Sequence, residues 1–459
     1  MVTQNRRQRR GRILLWLIAA LVLLFIALTA YHYFMRFRES SDAELVAELS
    51  DAEIVEDSLP AEPSDWPQFR GLRRDGSSPE TNLLAQWPSA GPKVVWTAPC
   101  GDGFSAVTVS DGRAFTLSSD EDHTSEIVHC WNADTGDELW TYNYSCTYSS
   151  PNGNGPRSSA TVDGELLYTV GATGILYCLE AKTGKERWHH ELLKEFSAKN
   201  LQWGVSFSPL IEGDLVLTNP GGRHGTSLAA FDKRTGDLRW QALDDPAGYS
   251  SPIAVTAAGV RQVIFFTGNS VVSVSPADGN LLWRKSWPTS FEVNAATPLT
   301  FQTSANGTTR DYLFISSGYG KGCALLKVVK SGDQLDVRSV YENTQMCNHF
   351  SSSVRLKDHI YGFNDAVLTC MEVRTGKVQW EQQGFYKGSL ILADGKLIVL
   401  GERGSLALAE ATPEGYHEIS KMQIFRGSPK WTAPTLSHGK LYMRDQTKVV
   451  CLDLRDHAD

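Results

Sequence analysis

The sequence predicts an all-β fold: an eight-bladed β-propeller of four-stranded antiparallel blades, preceded by one N-terminal transmembrane helix. Three observations lead there. A nonapeptide returns five times, ending at Trp140, Trp188, Trp240, Trp283 and Trp380, each time with a Gly four residues before the Trp. Between the copies lie alternating apolar-polar runs broken by Gly-containing turns. Near the N-terminus stands one uncharged apolar stretch, Ile13 to Ala30. The copies are 48, 52, 43 and 97 residues apart, and the last interval is close to two periods with one copy worn away. A period in the forties marks stacked supersecondary units that cannot bury their faces alone.

Within one period the strands can be read off the turns. In the unit around residues 162–188, turns at Asp163-Gly164 and Ala172 to Gly174 separate short alternating segments. Such alternation is the mark of antiparallel strands with one face buried. The Thr-Gly turn suits a hairpin whose last loop residue is left-handed, a conformation Gly adopts without strain. Innermost strands are expected to start near Phe104, Pro156, Val205, Ser251, Ala295, Ser351, Lys387 and Trp431, which gives eight units, with seven or nine as the alternative counts. The last unit stops one strand short, and Lys93-Val94-Val95-Trp96 at the front can supply it. Pairing the two chain ends closes the ring and removes the open edges of a linear array.

Composition and charge narrow the function classes. With 41% hydrophobic and 21% charged residues, the 459-residue chain is globular. Its formal net charge of −8 argues against a nucleic-acid partner, which calls for a basic field. The first twelve residues carry five Arg and no acid, and the apolar stretch ends in Tyr31 to Phe34. About 20 apolar residues span a bilayer, and flanking Arg keep their end cytoplasmic. The expected organisation is therefore a basic cytoplasmic tail at 1–12, a signal-anchor helix at 13–34, an acidic linker at 35–64 and a propeller at 65–457. This places the chain as a single-pass protein of the bacterial inner membrane, its propeller in the periplasm or extracytoplasmic space. A cleaved signal peptide is the competing reading. It would need a small-residue cleavage site, and Tyr31-His32-Tyr33-Phe34-Met35-Arg36 is bulky.

From Glu39 to Asp65 there are ten acidic residues and no Lys or Arg. Ser41 to Glu44 reads as a capping box, and Leu45, Leu49, Ala52, Val55 and Leu59 follow at helical spacing. Two readings stay open here: a short amphipathic helix making a dimer contact, or a solvated stalk ended by Pro60 and Pro63.

The repeat resembles the tryptophan-docking repeat of the pyrroloquinoline quinone (PQQ) β-propeller superfamily, which includes quinoprotein dehydrogenases and BamB-type assembly scaffolds. Trp66-Pro67-Gln68-Phe69-Arg70-Gly71, with Arg74-Asp75-Gly76 behind it, is similar to the start of many bacterial propellers of that kind. The likeness covers about residues 65 to 455. It implies that Trp140, Trp188, Trp240, Trp283 and Trp380 dock on neighbouring blades. The units around Gly332 and Gly415 lack the Trp, so their joints are expected to be looser.

The eight cysteines fall into two groups. Cys130, Cys178 and Cys370 each stand six residues before a repeat Gly, and Cys451 matches them; Ala230 and Ser273 fill the same slot elsewhere. That slot reads as a small buried position holding free thiols. Cys100, Cys146, Cys323 and Cys347 fall in loops opening on one face. Cys323–Cys347 and Cys100–Cys146 are the pairs expected to form disulfides if any do.

Six residues near the strand starts are expected at the channel mouth: Arg157, Trp203, Asn294, His349, Lys387 and Trp431. A cationic and aromatic ring of this kind suits an anionic planar ligand. The plainer reading is a polar rim that closes the channel over water. Quinoprotein dehydrogenases, as the resemblance implies, carry adjacent cysteines beside the quinone and an acidic Ca²⁺ site. This sequence has no adjacent Cys pair, no C-x-x-C-H haem motif and no long insertions between repeats. The acidic loop Asp120-Glu121-Asp122-His123 reads as a solvated turn in preference to a cation site, so no metal site is expected. Gly318, Gly320 and Gly322 lie between strands, so they form no dinucleotide loop. The expected function is a membrane-anchored, non-enzymatic protein-interaction scaffold without a cofactor. Its partner would meet the top-face loops, chiefly Tyr142 to Ser150 and Phe196 to Trp203. The alternatives are a PQQ- and Ca²⁺-dependent dehydrogenase of alcohols or sugars, with Arg157, Lys387 and Trp203 holding the quinone, and a small-molecule or glycan sensor using the channel mouth.

Overall fold

The computed structural model describes residues 16–25, 40–56, 64–427 and 429–456. Eight four-stranded antiparallel blades close into a ring. The first seven span residues 108–145, 161–191, 210–242, 253–286, 299–343, 354–382 and 389–423. The eighth takes three strands from residues 435–453, and its outermost strand is Lys93–Pro99, paired antiparallel to Lys448–Asp453. The chain ends thus meet within one sheet, as the shortfall of the last repeat requires. The innermost strands begin up to five residues later than expected, at Thr108, Thr161, Leu210, Ile253, Leu299, Val354, Ser389 and Thr435. The residues ahead of them are loop, and these loops build the channel mouth.

The core is distributed around the ring as eight apolar clusters, one at each joint between blades. The repeat explains how each joint is held. Trp240 of the third blade donates its indole N–H to the Pro276 carbonyl of the fourth at 2.9 Å. Its ring covers Gly279, where φ is +73° and a Cβ would lie 2.5 Å from the indole. The turn needs Gly both for its left-handed backbone and for the close approach of the ring. Trp96, Trp140, Trp188 and Trp380 make the same bond to Ala133, Ala181, Lys233 and Thr412. Strand register explains the small slot, for Cys130, Cys178, Cys370 and Cys451 lie directly opposite Trp140, Trp188, Trp380 and Trp96.

Three joints depart from the pattern. The fifth blade lacks the Trp, yet Tyr341 stands in for it: its hydroxyl donates to the Val373 carbonyl at 2.9 Å and its ring covers Gly376. In the seventh blade Ser420 holds the Trp position and accepts from the backbone N–H of Trp87, whose ring is buried in the cluster between the seventh and eighth blades. The expectation that these two joints are loose is therefore corrected, because an aromatic side chain fills each. Trp283 differs in the other direction. Its N–H goes to Gln262 of its own blade at 2.7 Å, since the neighbouring turn at Gly332 lies out on a longer hairpin. It still packs against Leu335 and Leu326 of the fifth blade in the shared cluster.

The acidic segment docks on the propeller. Ala43–Ser50 is helical, with Asp42 accepting from the Glu44 and Leu45 N–H groups. Strands Ser40–Ser41 and Glu53–Val55 extend the fifth blade at its two edges, making a six-stranded sheet. Leu45 and Leu49 are buried beneath this strap, and Glu48 pairs with Arg310 and Lys327. The solvated stalk and the dimer contact are both corrected: the apolar face that suggested a partner is covered by the chain's own fifth and sixth blades. Residues 16–25 are helical with exposed apolar side chains. The remainder of the span expected at 13–34 lies outside the described residues, and among those described no helix is long and apolar enough to cross a membrane.

All eight cysteines are free thiols. The two expected disulfides are corrected, for each sulfur has another neighbour: Cys323 Sγ donates to Asn343 Oδ1 at 3.0 Å, and Cys146 Sγ lies 3.2 Å from Thr173 Oγ1. Cys100 and Cys347 face the carbonyls of Asp445 and Thr344.

Candidate functional site

The channel has a closed floor and an open mouth. The floor is built by residues 64–87, which run beneath the ring and contact most of the blades. Trp66 pairs with Val109 and the Pro67 carbonyl accepts from Val162 N–H. The Arg74 guanidinium, fully enclosed, donates to the carbonyls of Pro252 at 2.9 Å, Pro209 at 2.9 Å and Ser208 at 3.2 Å. Arg70 reaches the carbonyl of Ser353 at 2.6 Å and those of Arg74 and Asp75 in its own loop. Ser77 pairs with Leu392, and Glu80 accepts from the backbone of His438 and Gly439. Burial pushes the Arg74 guanidinium down to about 9 and Arg70 to about 10, and both stay protonated at neutral pH. The Trp-Pro-Gln-Phe-Arg-Gly opening is thus a plug.

Above the plug, a belt of hydroxyls ties neighbouring blades together around the channel. Ser159 N–H donates to Ser208 Oγ, Ser208 N–H to Ser251 Oγ, and Thr297 N–H to Ser352 Oγ, each at 2.9 Å. Sequence reading missed this belt, although Ser and Thr recur just ahead of most of the inner strands.

At the mouth, aromatic side chains from successive loops touch one another in a circuit. Phe104 stacks on Trp431 at 5.4 Å between centroids, and Trp431 meets Phe350 at 5.3 Å. Phe350 meets His349 at 6.1 Å, and His349 meets Tyr319 at 4.7 Å. Phe291 then bridges Tyr319 at 5.6 Å and Trp203 at 6.2 Å, with Tyr249 on the far side of Trp203 at 5.9 Å. The Arg157 guanidinium closes the circuit, lying 5.5 Å from the Phe104 centroid and 4.7 Å from that of Tyr148. These separations are those of favourable ring pairs and cation–π contacts. Phe291 is 63% exposed and sits at φ 60°, ψ 19°. A bulky residue in the left-handed region stores strain, and such strain concentrates where a structure binds something.

The circuit encloses a cavity of about 200 Å³ with Phe69 and Arg70 at its base. Its lining holds two guanidiniums and one imidazole but no Asp or Glu. The acids at the rim are engaged elsewhere, Glu402 by the Trp431 indole at 2.8 Å and Asp365 by Lys387 at 3.1 Å. Burial and the nearby Lys387 hold the His349 imidazole below its usual range, which keeps it neutral.

Four of the six mouth residues read from the sequence line this cavity: Arg157, Trp203, His349 and Trp431. Lys387 stands outside it, in its ion pair. Asn294 is removed altogether, being fully buried; its amide donates to the Thr267 carbonyl at 2.7 Å and accepts from Ser317. The two expected contact segments divide in the same way. Tyr148 and Trp203 reach the mouth, whereas Tyr144 and Phe196 are core. Phe291, Tyr319 and Phe350 were missed: Phe291 and Phe350 stand in loops ahead of inner strands, whereas Tyr319 stands in the turn between Thr308–Ser317 and Gly322–Ser331. Asp120 is the cap of its own turn, its carboxyl held low by the Ser125 and Thr124 N–H groups it accepts from. Among the described residues no cluster of His, Cys, Asp or Glu is grouped to hold a metal ion.

Docked tryptophans, a closed eight-bladed ring and a channel plugged at one end define a PQQ-type propeller. The family model for outer membrane protein assembly factor BamB matches residues 124–382, more than half of the chain, and the chain belongs to that family. BamB from Shewanella oneidensis is 25% identical over 210 residues, 45% of this chain and 49% of that protein. Quinohemoprotein alcohol dehydrogenase from Comamonas testosteroni is 28% identical over 136 residues, 28% of this chain and 18% of that one. The chain thus matches about half of the first relative and under a fifth of the second. Among solved structures, BamB from Moraxella catarrhalis superposes with a TM-score of 0.55 at 17% identity, over 80% of this chain and 99% of that one. A quinohemoprotein alcohol dehydrogenase from Pseudomonas putida gives 0.61 at 11% identity, over 92% and 83%. At these identities the two structures speak for the fold alone.

Proposed function

We propose that this chain is a non-enzymatic interaction scaffold of the extracytoplasmic space, held at the inner membrane by residues 13–34 with its N-terminus inside. Residues 1–12 form the cytoplasmic tail, residues 35–64 the acidic connection and residues 65–457 the propeller. The partner is a protein that meets the aromatic mouth. The observation that carries this reading is the circuit of rings itself: Trp, Tyr and Arg around a central pocket are the residue types that concentrate binding energy at protein interfaces. Membership of a family described as an outer membrane assembly factor supports the same reading.

The dehydrogenase reading has two observations in its favour, the cationic and aromatic mouth and the partial likeness to a quinohemoprotein alcohol dehydrogenase. The residues present do not fit a tricyclic tricarboxylate quinone with Ca²⁺. The cavity, about 200 Å³ and open at the mouth, brings no acidic side chain from its wall and so offers no carboxylate to a cation. The test mixes the full-length protein with PQQ and Ca²⁺, following binding by calorimetry and dye-linked oxidation of alcohols and sugars. Neither heat of binding nor turnover is expected. Micromolar PQQ binding that Arg157→Ala abolishes would overturn the scaffold reading.

A further inference from the structure

The geometry points to a specific ligand class for the mouth: a single aromatic ring bearing a carboxylate, with the ring inside the aromatic circuit and the carboxylate on Arg157. This deepens the preceding section and rests on its reading of the mouth as the contact site.

Three features lead to that class. The first is size. An apolar cavity of roughly 150 Å³ accommodates benzene, so about 200 Å³ has room for one ring and a short acidic arm. The second is charge. The chain is acidic overall, with a net charge of −8, yet the cavity wall carries Arg157 and Arg70 and no acid. A desolvated cation is costly unless something anionic balances it; buried Glu126 interacts with Arg157 but is not part of the lining, so a ligand carboxylate would be the first acid inside the cavity. The third is the state of the Arg157 guanidinium. Two of its five N–H donors go to the backbone carbonyls of Gly153 and Gly155. That fixes the plane of the group between Phe104 and Tyr148 and leaves donors for a carboxylate. The rings at 4.7 to 6.2 Å from one another offer both edges and faces to a guest ring.

Two sources share this chemistry: a small aromatic acid, and the C-terminal carboxylate of a chain ending in an aromatic residue. The experiment separates them. Full-length protein in mild detergent is titrated with 3-phenylpropanoate, with 3-phenylpropanamide, and with a tripeptide ending in phenylalanine whose carboxylate is free or amidated. Quenching of tryptophan fluorescence is the readout, Trp203 and Trp431 being in the wall. Each acid is expected to bind at least tenfold more tightly than its amide. Arg157→Gln is expected to erase that difference while the amide's affinity stays the same. Tyr319→Ala, at a partly exposed ring in the cavity wall, is expected to weaken acid and amide alike by several-fold. Tighter binding of the free tripeptide assigns the ligand to a chain terminus, and tighter binding of 3-phenylpropanoate assigns it to a small acid; both support the inference. Equal binding of acid and amide, no binding of either acid, or an acid affinity unmoved by Arg157→Gln overturns it. If the acids fail while a partner still crosslinks at Phe291, the ligand class falls and the scaffold stands. If the acids bind and no partner crosslinks, the scaffold falls.

Discussion

Arg74→Ala is expected to cost the fold about 3 kcal/mol, read as a lowered urea midpoint with the slope unchanged. The side chain is 3% exposed and donates to three carbonyls, two from the third blade and one from the fourth. Each hydrogen bond to a charged donor contributes roughly 1.5–3 kcal/mol, and each carbonyl left dry costs about 1–3 kcal/mol. Against these stands the gain from no longer burying a guanidinium, which brings the net loss below their sum, to about 3 kcal/mol. Arg74→Lys will not rescue it, because one ammonium cannot reproduce the planar fork that reaches three acceptors. The same substitution frees the plug, so cleavage by protease within residues 64–87 is expected to rise. An unchanged midpoint would mean that the plug is ornamental and the ring stands without it.

Trp240→Ala is expected to cost about 3–5 kcal/mol, the range for emptying a buried Trp site. The indole fills the joint between the third and fourth blades and satisfies the Pro276 carbonyl. Trp240→Phe keeps most of the packing and loses the N–H, so a loss of about 1–2 kcal/mol is expected from the orphaned carbonyl. Gly279→Ala strikes the same joint from the other side. Its added methyl would lie 2.5 Å from the indole on a backbone at φ +73°. Urea unfolding followed by near-ultraviolet circular dichroism checks all three. If Trp240→Ala and Trp240→Phe cost the same, the hydrogen bond is the whole of the staple and the packing account is wrong.

The fold was legible because it is written as a period. Five Trp-Gly pairs, a regular turn chemistry and a last repeat one strand short were enough to reach eight blades and the closing strand Lys93–Pro99. Departures from the period were less legible for a physical reason. Tyr341 takes the Trp position of its joint, which only register reveals, and Trp87 reaches the other joint from the plug segment, far away in sequence. The strap at residues 40–56 reads in sequence as an amphipathic helix, but nothing local says that its partner is the fifth blade of the same chain. At the site, Arg157, Trp203, His349 and Trp431 were found because their loops recur ahead of each inner strand. Asn294 was placed wrongly because a polar residue in such a loop can turn inward and serve the backbone, as it does toward Thr267. Phe291 and Tyr319 escaped because their loops follow no shared spacing. Their approach to each other exists only once the ring has closed.

The measurement that bears most directly on the scaffold claim is site-specific photo-crosslinking of the full-length protein in its own cells. A photoreactive phenylalanine analogue is placed at Phe291 on the mouth, or at Asp111 in the first turn of the opposite face. One discrete protein adduct is expected from position 291, suppressed by Trp431→Ala, and none from position 111. No adduct from position 291, or the same adduct from both positions, would contradict it.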